Sequence, residues 1–247
     1  MTRDDQLAGR TPTGPLDDVI GGGAMQAPED IAVRELLSAY AHGVFPMAAS
    51  ATTPELYLQD PEWRGIIPLN RVELPRRLAR TVRQQPYDIR INTDFDAVID
   101  GCAEETPERG STWINREIRQ LYGLLHERGC CHTIEAWQGR ELVGGLYGVT
   151  LKGAYFGESM FSRARDASKI ALIYLCARLI AGGFRLLDTQ FTTPHLAQFG
   201  TIEIMRRDFQ VLLQDALEAP ADYMSLDPAT PPTDIIEIVR NANTTTE

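Results

Sequence analysis

The segment from Thr133 to Phe191 constrains the fold more than any other part of the chain. Thr133–Trp137 and Glu141–Val149 flank Gln138-Gly139-Arg140, a turn sequence between two runs of strand formers, which predicts a hairpin. Lys152-Gly153 predicts a second turn into Ala154–Phe161, so the three runs form an antiparallel meander. Asp166-Ala167-Ser168 then offers capping residues for a helix that ends near Ala181, ahead of Gly182-Gly183. Leu172, Leu175, Cys176 and Leu179 line one face of that helix, while Ile173, Tyr174 and Ile180 lie elsewhere. A helix apolar on most sides has to be buried. Phe184–Phe191 reads as a further strand.

Three helices are predicted upstream. Val33, Leu36, Leu37 and Tyr40 recur at helical spacing up to Gly43, and Ile118, Leu121, Tyr122 and Leu125 do so up to Gly129. Phe95, Val98, Ile99 and Cys102 follow the capping residues Asn92-Thr93-Asp94. The expected organisation is α+β in four stretches. Residues 1–28, with Thr11-Pro12-Thr13-Gly14-Pro15 and Gly21-Gly22-Gly23, form a flexible leader. Residues 29–92 form a small N-terminal domain, 93–226 a catalytic domain, and 227–247 a flexible tail with one short apolar stretch. Gly21-Gly22-Gly23 does not complete a dinucleotide-binding GxGxxG.

Charge narrows the class of partner only once its distribution is considered. The chain carries a net charge of −10, but residues 1–30 hold six acids and two bases, and residues 211–247 hold seven acids and one base. Residues 31–210 are therefore neutral, and a basic surface there is compatible with the low pI. No apolar run approaches the roughly 20 residues of a membrane span, and no basic-then-apolar signal opens the chain. A cytoplasmic protein is expected, with no membrane partner and with Cys102, Cys130, Cys131 and Cys176 reduced. Adjacent Cys130-Cys131 lacks zinc spacing and the four histidines are scattered, so no metal is expected.

Strand alternation along Phe184–Phe191 puts Phe184, Leu186, Asp188 and Gln190 on one face, which makes Asp188 and Gln190 a candidate catalytic pair. A plain pairing of both with the following turn is the competing reading, since a buried carboxylate must be satisfied. Gly157-Glu158-Ser159-Met160-Phe161-Ser162 adds a second carboxylate, Glu158, and two hydroxyls. It fails the GxSxG nucleophile elbow at its last position, so a serine hydrolase using His195 and Asp188 is not expected.

The order strand–strand–strand–helix–strand resembles the core of the GNAT (N-acetyltransferase-like) fold, an acyl-CoA N-acyltransferase-like architecture. Enzymes of that fold hold the coenzyme A pyrophosphate on a glycine-rich loop before the central helix. Here the stretch is Arg163-Ala164-Arg165-Asp166-Ala167-Ser168, which has no glycine and carries an aspartate, so coenzyme A is disfavoured and no cofactor is expected.

Longer motifs point further. They are Leu36-Leu37-Ser38-Ala39-Tyr40-Ala41-His42-Gly43-Val44-Phe45-Pro46-Met47, Phe95-Asp96, Thr112-Trp113-Ile114 and Leu142-Val143-Gly144-Gly145-Leu146-Tyr147-Gly148. Gly157–Ser162, Ala167-Ser168-Lys169, Asp188-Thr189-Gln190, His195-Leu196 and Gly200 follow in the same order. Together, over roughly residues 30–212, they resemble the leucyl/phenylalanyl-tRNA–protein transferase family. The resemblance implies transfer of Leu or Phe, in some members Met, from aminoacyl-tRNA to proteins that begin with Lys or Arg, marking them for N-end-rule degradation. It implies a small N-terminal domain, a GNAT-like C-terminal domain, and a tRNA 3′ end in place of coenzyme A. Asp188 and Gln190 match the family's catalytic pair, Glu158 an acid that orders the site, and Trp113 an aromatic near the terminal adenosine. Leu146, Met160, Leu172, Leu175 and Leu187 fall where the family lines its side-chain pocket; ordinary core is the plainer reading for any one of them. Many members carry Trp-Trp-Ser-Pro-Asp-Pro-Arg where this chain reads Leu56-Tyr57-Leu58-Gln59-Asp60-Pro61-Glu62-Trp63-Arg64-Gly65, without the paired tryptophans.

An aminoacyl ester is already activated, and an α-amine has a pKa near 7.7–8.0. An ordinary aspartate is about four pH units too acidic to deprotonate it efficiently. Asp188 is therefore expected to position the amine, with Gln190 holding the ester or adenosine end. For tRNA, Arg76, Arg80 and Arg83 are spaced i, i+4, i+7 with Arg77 beside them, although a solvated helix face is the alternative. The protein is expected to work as a monomer. The rival functions are a small-molecule N-acyltransferase and a module that binds tRNA ends without transfer.

Overall fold

A computed structural model describes residues 28–105 and 110–244. The chain opens with α1 (Pro28–Ala41), β1 (Phe45–Ala48), β2 (Leu56–Gln59), β3 (Trp63–Ile66), α2 (Arg76–Gln84) and β4 (Asp88–Ile91). Two helices, α3 (Phe95–Ala103) and α4 (Arg116–Glu127), lead into β5 (Cys131–Gln138), β6 (Glu141–Leu151) and β7 (Ala154–Ser162). After these come α5 (Ala167–Ala181), β8 (Leu186–Gln190), α6 (Pro194–Ala197), β9 (Ile202–Met205), α7 (Arg206–Glu218) and α8 (Pro232–Ala242).

The architecture is α+β, built on a mixed sheet of seven strands in the order β4-β5-β6-β7-β8-β3-β9; β1 and β2 pair separately. The meander is present as expected. β5 and β6 turn at Gly139, whose φ of +63° is the left-handed conformation a tight hairpin needs, and β6 and β7 pair antiparallel. β7 and β8 run parallel, joined by the α5 crossover. α5 is buried on nearly every side, because α2 and α8 cover the face it turns away from the sheet. On the opposite face of the sheet, α1, α3, α4 and α7 close a second apolar cluster. Asp94 caps α3 by accepting the Ala97 N–H at 3.0 Å. Asp166 takes the N-cap position of α5, but at a left-handed φ of +61° its side chain caps nothing and lies 3.5 Å from Lys169 Nζ instead.

Two parts of the expected organisation change. The tail expected over 227–247 carries α8, and Ile235, Ile236 and Val239 are buried in the cluster around α5. The short apolar stretch in that tail is an amphipathic helix that finishes a core. The boundary expected at 92/93 is crossed by the sheet: β3 sits between β8 and β9, and β4 pairs with β5. The leader expected over 1–28 lies outside the described residues except for Pro28. All four cysteines are free and buried. Among the described residues no helix is long and apolar enough to cross a membrane, and no three potential metal ligands converge.

Candidate active site

The site follows from how short the parallel pairing is. β7 and β8 share only Ala154–Leu186, Tyr155–Leu187 and Phe156–Asp188. Beyond these, β7 continues to Ser162 on β6 alone, while β8 turns towards β3. Between the diverging strands opens a cavity of about 790 Å³. Leu146, Met160, Leu172, Leu175 and Leu187, expected from the resemblance, all line it, and so do Glu158 and Gln190. Trp113 does not; it packs half-buried against the second cluster. Arg76, Arg77, Arg80 and Arg83 are exposed on α2, away from the cavity wall, with no acidic partner among the described residues. In place of the family's paired tryptophans, β2 presents Tyr57 and Leu58 to solvent.

Asp188 and Gln190 do not share a face. The register slips at Gly65/Ile66, and Gln190 takes a left-handed φ of +55°. Gln190 thereby joins Leu187 and Thr189 on the cavity wall, while Asp188 points to the opposite side of the sheet and is fully buried. Its Oδ1 accepts the Arg64 Nε–H at 2.8 Å and the Gln190 backbone N–H at 2.9 Å, and its Oδ2 accepts from Arg64 Nη2 at 2.7 Å. This corrects the expectation that Asp188 touches the attacking amine: both oxygens are engaged, and neither reaches the cavity. Gly65 makes the turn possible, since a Cβ there would stand 2.7 Å from the Phe191 carbonyl carbon and 2.9 Å from the Thr192 nitrogen.

Arg64, the partner of Asp188, is not singled out by the sequence pattern. Its Nη1 donates to the Gly43 carbonyl at 2.7 Å, and its guanidinium lies 4.6 Å from the Phe45 ring centroid and 4.4 Å from that of Phe209. A signal was available. An arginine inside Trp63-Arg64-Gly65-Ile66-Ile67 needs a buried acid, and Asp188 is an acid in an equally apolar strand.

Glu158 is the extra residue of a β-bulge in which Tyr147 faces Ser159 and Gly148 faces Gly157. Its Oε1 accepts from Tyr40 Oη at 2.7 Å and its Oε2 from Tyr122 Oη at 2.8 Å; the two phenol oxygens are 2.5 Å apart. Burial is the main cause that raises its pKa to about 7, with the Asp188 charge adding to it and the two tyrosine hydroxyls and Arg64 opposing it. Three contacts that close a ring of three residues are best served by three protons. With Glu158 protonated, every O–H in the ring has an acceptor; with Glu158 ionised, the two phenol oxygens face each other with no proton between them.

Four polar groups of the wall lack a partner. Tyr147 Oη, Thr189 Oγ1, Gln190 Nε2 and His195 Nε2 are buried without a hydrogen-bond partner, and all four residues line the cavity. Burial and the nearby Lys169 charge lower the His195 pKa, so its ring is neutral at pH 7. Buried polar groups are normally paired, so these four beside an apolar recess make the cavity a candidate binding site.

The chain has relatives among known proteins. The sequence model of the leucyl/phenylalanyl-tRNA protein transferase family matches residues 66–214. The chain is similar to the leucyl/phenylalanyl-tRNA–protein transferase of Caulobacter vibrioides strain NA1000 / CB15N, with 54% identity over 211 residues, 85% of this chain and 97% of that one. The corresponding protein of Phenylobacterium zucineum is 59% identical over 201 residues, covering 81% and 91% of the two chains. That of Rhodopseudomonas palustris strain TIE-1 is 55% identical over 200 residues, covering 81% and 89%.

Proposed function

Because the chain belongs to the leucyl/phenylalanyl-tRNA–protein transferase family, and is thus an aminoacyltransferase, we propose that it moves Leu, Phe or Met from aminoacyl-tRNA to proteins whose first residue is Lys or Arg. In this reading the product is an N-end-rule degradation signal, and the enzyme acts as a cytoplasmic monomer with its site complete in one chain. The observation that carries it is the cavity itself, an apolar recess beside a row of unpaired polar groups. The order of β5, β6, β7, α5 and β8, with its parallel β7/β8 pair, supports a GNAT-like catalytic unit.

The roles follow from position. Leu146, Met160, Leu172, Leu175 and Leu187 receive the transferred side chain, which makes selectivity a matter of apolar volume. The Gln190 amide, unpaired at Nε2, holds the ester end of the donor. Glu158, on the wall with both oxygens held by Tyr40 and Tyr122, orders the site. The neutral α-amine attacks the ester carbonyl carbon, the bond to the ribose oxygen breaks, and the amine's proton ends on that oxygen. Alignment of two activated partners is the main contribution, since a well-oriented intramolecular reaction gains about 7–11 kcal/mol over its bimolecular counterpart. Asp188 acts at one remove, through Gln190. Trp113, outside the wall, is assigned to the terminal adenosine, and the α2 arginines to tRNA phosphates.

Labelled Leu-tRNA incubated with peptides beginning with Arg, Lys, Asp or Ala tests this. Label is expected in the Arg and Lys peptides only. A blank result in all four removes the transfer reading, and label in the Asp peptide alone redirects it to another class of transferase.

A further inference from the structure

We infer that Arg64 is a positioning residue of the transfer reaction, the member of the site that holds Asp188, and through it the backbone turn at Gln190, in place. The inference rests on the transfer reading above and adds a residue to it. Three facts carry it. First, the guanidinium meets the carboxylate through two parallel hydrogen bonds, 2.8 Å from Nε to Oδ1 and 2.7 Å from Nη2 to Oδ2. That bidentate fork is a geometry only arginine supplies. Second, the guanidinium is itself immobilised, by the Gly43 carbonyl at 2.7 Å and by the rings of Phe45 and Phe209. Third, the same Oδ1 accepts the backbone N–H of Gln190 at 2.9 Å. A left-handed turn at a non-glycine residue persists only when its surroundings over-determine it, and Gln190 stands at a φ of +55°.

The chain of contacts thus runs Gly43–Arg64–Asp188–Gln190 and ends with the Gln190 side chain on the cavity wall. Arg64 comes from β3, and Gly43 lies between α1 and β1. The orientation of a residue late in the chain is thereby set by a segment more than a hundred positions earlier. Neither Arg64 nor Asp188 lines the cavity, so neither is a catalytic residue. Their effect is on where the Gln190 amide points.

Steady-state kinetics on Arg64→Lys, Arg64→Met, Asp188→Asn and the Arg64→Met/Asp188→Asn double variant separate positioning from plain stability. Each single variant is expected to lose about 10²-fold in kcat, the size of effect a misplacement of about 1 Å produces, with KM for Leu-tRNA and for the acceptor peptide within about twofold. The single neutral variants leave one buried charge unpaired and are expected to melt at lower temperature. The double variant has no unpaired charge and regains Tm. If Arg64 positions the turn, kcat stays low in the double variant although Tm recovers. Recovery of kcat together with Tm overturns the inference, because the pair then serves only stability. Should Arg64→Met not fold, Arg64→Lys carries the test. It keeps the charge but not the fork, and wild-type kcat in that variant overturns the inference. A wild-type protein that transfers nothing removes the transfer reading and this inference with it, whereas a working wild type matched by Arg64→Lys removes this inference alone.

Discussion

At Glu158 a protonated carboxyl and an ionised one meet different surroundings, and the difference is measurable. Its pKa, about 7 in the folded protein, is above that of an exposed glutamate, so the folded state binds more protons than the unfolded state between about pH 4.5 and pH 7. Stability therefore falls as pH rises through that window, and the penalty is complete above pH 7. Glu158→Gln copies the neutral acid: its Nε2 donates to one phenol, that phenol to the other, and the second phenol to Oε1. Relative to wild type, the variant is expected to gain stability between pH 5 and pH 8 by roughly 1–3 kcal/mol, one pKa unit being about 1.4 kcal/mol. Urea unfolding at the two pH values reads this, and a stability difference that does not change with pH would contradict it. Little of this residue-scale detail was legible in advance. Resemblance pointed to Glu158, but the triangle needs Tyr40 and Tyr122, which sequence periodicity identifies only as apolar helix positions.

The decisive elements are short. β3 has four residues, one of them charged, and nothing in its local pattern announces that it lies between β8 and β9. Long periodic segments such as α5 and β6 were legible because their burial repeats over many residues. The facing of Gln190 was not, because strict alternation assumes a regular strand, and one slip at Gly65/Ile66 reverses its outcome. α8 was missed for a related reason: Ile235, Ile236 and Val239 make a face only when α5 and α2 are there to receive it. Gly65 offers a test at this scale. In Gly65→Ala the new methyl meets the backbone of Phe191 and Thr192 at under 3 Å, so the turn after Gln190 has to move. A loss of about 1–3 kcal/mol in stability, typical of overpacking, is expected together with a drop in kcat of at least tenfold. Thermal unfolding and transfer kinetics on one sample check both, and unchanged kcat would separate the turn from the reaction.

For the whole molecule, charge is arranged by region. The acids that make the net charge −10 are concentrated in residues 1–30 and 211–247, while α2 presents Arg76, Arg77, Arg80 and Arg83 to solvent. If these arginines meet tRNA phosphates, Arg76→Ala/Arg80→Ala is expected to weaken tRNA binding. It should also reduce the slope of log Kd against log salt by about 0.7–0.9 for each phosphate that is no longer neutralised, without changing the amino acid transferred. Titrations at three salt concentrations measure the slope, and an unaltered slope would return α2 to an ordinary solvated face. At this scale the sheet also has a seam. Four strands lie on one side of it and three on the other, joined across three residue pairs and by the α5 crossover. The cavity between Met160 and Gln190 is the continuation of that seam, the place where backbone pairing stops and side chains line the space instead.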